Sequence, residues 1–273
     1  LNIKNGDGLS TETGKKIVRS VFGEGNDEEL GAMVTKSSGI AATGFDVSSM
    51  QFAIHYMFEN IDKLTQFLRN VSECTKIGGY FIATAYDGEK VFSMLRSVAT
   101  NESITLKAPD GSKMWQITKR FENETFPNNQ ASLGYPIDIY QESIGKTFRE
   151  YLVNYSYLSD LLGEFGFVDL PEKEANQLGL PSGSGSFELL YNLMLASTGK
   201  KSRYGRAADM SPNEKTISFL NRFMVFKKVS SVNSRLQART TSVETVVKDS
   251  IQPPKAEQKP FKVGRKLVLR ERD

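Results

Sequence analysis

The stretch FDVSSMQFAIHYMFEN, residues 45–60, decides how the chain around it is read. Phe45 and Val47 open a short strand, and Gln51, Phe52, Tyr56 and His55, the sole histidine, follow directly. Next comes NIDKLTQFLRNVSECTKIGG, in which Leu64, Phe67, Leu68 and Val71 share one face. Asn60 or Asp62 can cap its start and Gly78-Gly79 is expected to stop its end, so the spacing predicts an amphipathic helix over 60–79. YFIATAYDG then reads as an apolar strand and EKVFSMLRSVA as a further helix. Strand, helix, strand, helix with short links predicts a parallel sheet with crossover helices, an α/β fold.

Upstream, Ile17, Val18 and Val21 are spaced for a helix, and GEGNDEELGAMVTKSSGIAATG is loop-like. Downstream the period changes. ITLKAPDGSKMWQITKRF is a pair of alternating segments around Asp110-Gly111, which predicts an antiparallel hairpin inserted into the α/β sheet. YPIDIYQES adds a strand, EYLVNYSYLSDLLGEFG a helix ended by Gly166, and FVDL a short strand. Helical stretches are expected around 186–196 and 211–219, then a last strand RFMVFKKV. After Val229 periodicity is lost and Pro253-Pro254 appears, so 1–229 reads as the folded portion and 230–273 as a polar, flexible tail.

With 273 residues and 39% hydrophobic content the chain can bury a sizeable core. A net charge of +3, from 35 basic and 32 acidic residues, is too small to diagnose nucleic-acid binding from bulk charge, so any basic surface must be local. The lone Cys74 permits no internal disulfide and points to a reducing, intracellular compartment. The apolar runs are strand-sized, so no membrane span or secretory signal is expected. The start LNIKNGDGLS is polar and lacks an initiator methionine, which suggests a fragment.

Three blocks together resemble mRNA cap guanine-N7 methyltransferases, especially those within capping enzymes of large DNA viruses. They are Phe45-Asp46 through His55-Tyr56, then Gly78 to Ile82 with Thr84 and Asp87-Gly88, then FREYLV with Glu150. The resemblance runs from near the start to about Val229. It implies a class I, Rossmann-like methyltransferase fold and methyl transfer from S-adenosylmethionine to N7 of the cap guanine of mRNA. It implies Gln51 as a methyl-donor contact, and Phe52, His55, Tyr56, Glu150, Tyr86 and Phe223 as cap guanine contacts. Capped RNA is then the partner, with guanylyltransferase and triphosphatase domains upstream in the same polypeptide, in the cytoplasm of an infected cell or a virion if the chain is viral.

The departures matter. The family binds its donor through an acidic, glycine-rich loop after the first sheet strand, and FGEGNDEELG follows a helical pattern instead. The first strands of the sheet, with the donor loop, are therefore expected to be missing, and the chain alone to be inactive. Tyr86 stands where many family members have proline, and Phe223 where tyrosine is usual. The alternative is a non-catalytic cap- or protein-binding module that keeps the base pocket.

The chemistry agrees with the residue types. Guanine N7 carries a lone pair and no proton, so methylation needs alignment and charge stabilisation, with no acid-base pair and no metal. A carboxylate such as Glu150 can accept from guanine N1–H and N2–H, while Phe52 and Tyr56 can stack on the purine and His55 can donate to O6. Each also has a plain reading: His55 as a satisfied buried histidine, Phe52 and Tyr56 as core packing, Glu150 as a partner for a helix dipole, Asp87 as an N-cap.

Overall fold

The structure, a computed structural model, describes residues 10–24, 36–196 and 205–233, together with 4, 31 and 32. The fold is mixed α/β, as expected. After helix α1 (Glu12–Val21), strand β1 (Phe45–Gln51) leads through a 3-10 turn (Ile54–Glu59) into α2 (Ile61–Cys74) and back to β2 (Thr75–Tyr86), parallel to β1. Asn60 caps α2 by accepting from the Lys63 amide at 2.9 Å, and Leu64, Leu68 and Val71 are buried on its inner face. Each such side chain stabilises the fold by about 1.5–3 kcal/mol relative to exposure.

The expected stop at Gly78-Gly79 is corrected, because α2 ends at Cys74 and both glycines lie within β2. The Thr75 hydroxyl donates to Val71 O at 2.7 Å, and the Lys228 ammonium donates to the carbonyls of Ser72 and Thr75. These partners satisfy the last carbonyls of the helix without a glycine cap. The glycines instead form a bulge. Phe45 pairs with Thr75 but Val47 with Tyr80, so β2 carries three extra residues at this point.

The main sheet has the order β1-β2-β9-β7, with β9 (Asn221–Lys228) antiparallel to both β2 and β7 (Phe167–Asp169), and the short β8 (Ser184–Ser186) also on β9. Among the described residues β1 pairs only with β2, and Phe45 and Val47 are exposed. One face of the sheet packs on α2 and α4 (Tyr155–Glu164) through Phe58, Leu64, Leu68, Phe81, Leu162 and Phe226.

The hairpin around Asp110-Gly111 is one half of a larger unit. Strands β3 (Ser103–Lys107), β4 (Lys113–Lys119), β5 (Pro136–Gln141) and β6 (Lys146–Tyr151) form a separate four-stranded antiparallel sheet. It packs through Trp115, Ile117, Ile137 and Ile139 against Val91 and Leu95 of α3 (Gly88–Met94) and the turn after it. Asp87 caps α3, accepting from the Lys90 amide at 3.2 Å, and pairs with Arg222 of β9 at 2.9 Å, which fixes the start of α3 to the main sheet.

Here a second expectation is corrected. FREYLV does not open a helix: Glu150 lies in β6, and α4 begins at Tyr155, capped by the buried Asn154. The remaining elements are α5 (Glu172–Gln177), α6 (Phe187–Ala196) and α7 (Pro212–Phe219), the last with a Ser211/Glu214 capping box. The flexibility expected of the tail concerns residues that, from 234 onward, lie outside the described part, as does most of the loop at 25–35.

Candidate functional site

The two sheets meet at the C-terminal ends of β1 and β2, where open α/β sheets place ligands. A cavity of about 420 Å³ opens there, lined by residues of both sheets and the segments between them. Phe52, His55 and Tyr56 come from the turn after β1, Tyr86 from the end of β2, Ile139 and Gln141 from β5, and Phe148 and Glu150 from β6. Ile144, Lys146, Ile217 and Asn221 complete the lining.

The turn after β1 is what brings the first group in. The Phe52 amide donates to Thr84 O at 2.9 Å, and Phe52 takes φ of 52°, a left-handed conformation costly for a bulky side chain. This sharp reversal places Phe52 beside the cavity, with 54% of its surface exposed, and Tyr56 is likewise exposed. Neither ring is core packing. Phe52 meets Phe187 edge-on with ring centroids 6.0 Å apart, and Tyr56 lies against the His55 ring at 4.2 Å.

The second wall follows from strand alternation. Ile137 pairs with Glu150, Ile139 with Phe148 and Gln141 with Lys146, so Lys146, Phe148 and Glu150 face the cavity from one strand. Arg149 points to the other face and pairs with Asp138, which also holds Arg120. The Tyr86 hydroxyl closes the wall, accepting from Trp115 Nε1 at 3.0 Å and from Gln141 Nε2 at 3.4 Å.

The floor is electrostatically unusual. His55 is 5% and Glu150 9% exposed, and His55 Nδ1 lies 3.7 Å from Glu150 Oε2, too far for a hydrogen bond. His55 Nε2 and Glu150 Oε2 have no hydrogen-bond partner. Burial pushes the Glu150 carboxyl up to about 7 and the His55 imidazole down to about 4, so both favour the neutral form on their own. Leaving such atoms unpaired costs about 1–3 kcal/mol each. A ligand with complementary donors and acceptors would recover that energy.

Five of the residues singled out by sequence, Phe52, His55, Tyr56, Tyr86 and Glu150, come together here. Gln51 sits outside the cavity at the end of β1, accepting from the Thr84 hydroxyl at 2.8 Å. Phe223 is corrected. It is buried on the far side of the main sheet with Leu170, Ala175 and Val225, pressed against Gly185, and takes no part in the cavity. Ile139, Gln141, Ile144, Lys146, Phe148, Ile217 and Asn221 escaped sequence reasoning. The alternation in KTFRE carried the signal for Lys146 and Phe148, hidden once the segment was taken to lead into a helix. No group of His, Cys, Asp and Glu able to hold a metal occurs among the described residues, and Cys74 is buried as a free thiol. No helix among them is long and apolar enough to cross a membrane.

The family model for the mRNA (guanine-N(7))-methyltransferase domain matches residues 17–229. A protein of Acanthamoeba polyphaga mimivirus named as a probable mRNA-capping enzyme is 26% identical over 209 residues, covering 69% of this chain and 18% of that protein. The mRNA cap guanine-N(7) methyltransferase of Saccharomyces cerevisiae is 29% identical over 142 residues, covering 48% of this chain and 31% of that protein. The chain thus spans less than a third of either relative. A solved S-adenosylmethionine-dependent methyltransferase from Clostridium acetobutylicum aligns with a TM-score of 0.36 at 12% identity, covering 68% of this chain and 59% of that one.

Proposed function

We propose, from the premise that this chain belongs to the mRNA (guanine-N(7))-methyltransferase domain family, that its aromatic cavity holds the guanine of an RNA cap for methylation at N7. The carrying observation is the pair of buried, unpartnered atoms on the cavity floor, His55 Nε2 and Glu150 Oε2. Guanine presents N1–H and N2–H2 donors on one edge, which the Glu150 carboxylate accepts, and an O6 acceptor to which neutral His55 donates. Phe52 and Tyr56 give the purine an aromatic face, worth about 1–3 kcal/mol per stacked base. Tyr86 fills the wall where a flat ring must slide in.

S-adenosylmethionine supplies an electrophilic methyl group when bound. With that donor bound, guanine N7 would take the methyl with its own lone pair, one C–N bond forming as one C–S bond breaks, and no proton would have to move. What the protein residues do is align the purine and keep a negative charge beside a ring that becomes cationic. The described residues fit the donor in part. Gln51, at the end of β1 with its amide outside the guanine cavity and held by Thr84 and Ser49, would be the donor contact. The open edge of β1 supports the reading that a further strand, bearing the donor loop, docks there from outside the described residues.

Residues 1–229 would then be the catalytic domain's portion and 230–273 an appendage to it. The match to 18% of a protein named as a probable mRNA-capping enzyme supports a setting beside guanylyltransferase and triphosphatase domains, inside cells or virions where capped RNA is made. The test is methyl transfer to GpppG-capped RNA by the polypeptide with its complete donor site. Glu150→Gln should lower turnover at least tenfold by turning a donor toward the guanine donors. Unchanged turnover would remove Glu150 from the site.

A further inference from the structure

We infer that Lys146 grips the phosphates of the capped nucleotide, so that a single strand reads both ends of the ligand, Glu150 the base and Lys146 the phosphate chain. The inference rests on the reading that the floor of the cavity takes guanine, and it adds a polarity to that site.

Besides His55, the cavity lining contains two ionisable groups of opposite sign, Glu150 and Lys146, together with the Tyr56 and Tyr86 phenols. They sit four residues apart on β6 and face the same way, which spaces them by about 13 Å along the strand. Guanosine extended by its 5′ phosphates is a molecule of that length, with hydrogen-bond donors at one end and negative charge at the other. Glu150 is on the buried floor, whereas Lys146 is exposed at the mouth, in the last pair of the β5–β6 ladder, directly after the turn at 142–145.

Lys146 is also uncommitted. Among the described residues no carboxylate lies within ion-pair range of its ammonium and no acceptor takes a hydrogen bond from it. Its neighbours are engaged elsewhere. The Lys113 ammonium lies 3.8 Å from the Tyr140 ring centre, Lys119 donates to Val98 O at 3.1 Å, and Arg149 and Arg120 share Asp138. A flexible point charge at the open end of a cavity whose closed end is acidic favours an anion at that end, and would disfavour a ligand bound the other way round.

The sole tryptophan reports on the site, because Trp115 is hydrogen-bonded to Tyr86 of the cavity wall. Fluorescence titration of the full chain with guanosine and with GpppG gives the affinity ratio of the two ligands. In the wild type GpppG should bind about tenfold more tightly at low salt, with an advantage that shrinks as salt is added. Lys146→Met should bring the ratio close to one, and Lys146→Arg should restore it. A ratio unchanged in Lys146→Met would overturn the inference while leaving the guanine reading intact. Failure of guanosine and GpppG alike to bind the wild type would overturn both.

Discussion

Glu150 has a stability consequence that separates a ligand-binding carboxylate from a structural one. In the folded chain it holds its proton up to pH about 7, whereas unfolded it releases it near 4.5. The native state therefore binds more protons between these values, so this group's contribution falls as pH rises through that window, by about 3 kcal/mol at most. His55 acts in the opposite direction. Held neutral down to about 4 against an ordinary 6.5, it costs stability as pH falls through that range. Glu150→Gln removes the first effect only. Its melting temperature should exceed the wild type's by several degrees at pH 8, and the gap should close toward pH 5. A variant that melts lower than wild type at both pH values would mean that Glu150 is held for packing. This behaviour was not legible from the residues alone, since burial of Glu150 depends on β6 pairing with β5, and the dipole reading assumed a helix that starts only at Tyr155.

At the scale of elements, the join between α2 and β2 sets the register of β2 against β1, from the end of the strands away from the cavity. Adjacent glycines there have different work. Gly78 has φ of 82° with open space around its missing side chain, whereas a Cβ on Gly79 would lie 2.8 Å from Asp46 O and 3.0 Å from Phe45 O. Those obstacles are backbone of β1 and cannot turn away. Gly79→Ala should therefore push β1 from β2, costing about 1–3 kcal/mol in urea unfolding and weakening ligand binding at Phe52. Gly78→Ala should cost only about 1–2 kcal/mol of left-handed strain and leave binding unchanged. Equal losses of binding in both would contradict this division. The helix and both strands were legible from periodicity. The helix stop was not, because Lys228, more than 150 residues away in sequence, supplies the partners that a glycine cap would otherwise replace.

At the scale of the whole molecule, the cavity exists because two sheets of different topology, one mixed and one antiparallel, meet. The parallel β1 and β2 were readable from FDVSSM and YFIATAY, and with them the group Phe52, His55 and Tyr56 just beyond the strand. The facing wall was only half readable, because its residues alternate on β5 and β6 and gain meaning once that sheet folds over the end of the first. Phe223 was misplaced for a related reason: as a strand residue it could face either side, and packing against Gly185 and Leu170 decides which. The central claim is that this junction recognises guanine through a buried carboxylate. The most direct measurement compares GpppG with ApppA by tryptophan fluorescence on the wild type and on Glu150→Gln. Adenine stacks as well as guanine but turns an acceptor toward Glu150, so the wild type should prefer GpppG by at least tenfold, from an unpaired buried group costing about 1–3 kcal/mol. The preference should largely vanish in Glu150→Gln. Equal binding of GpppG and ApppA by the wild type would contradict the account.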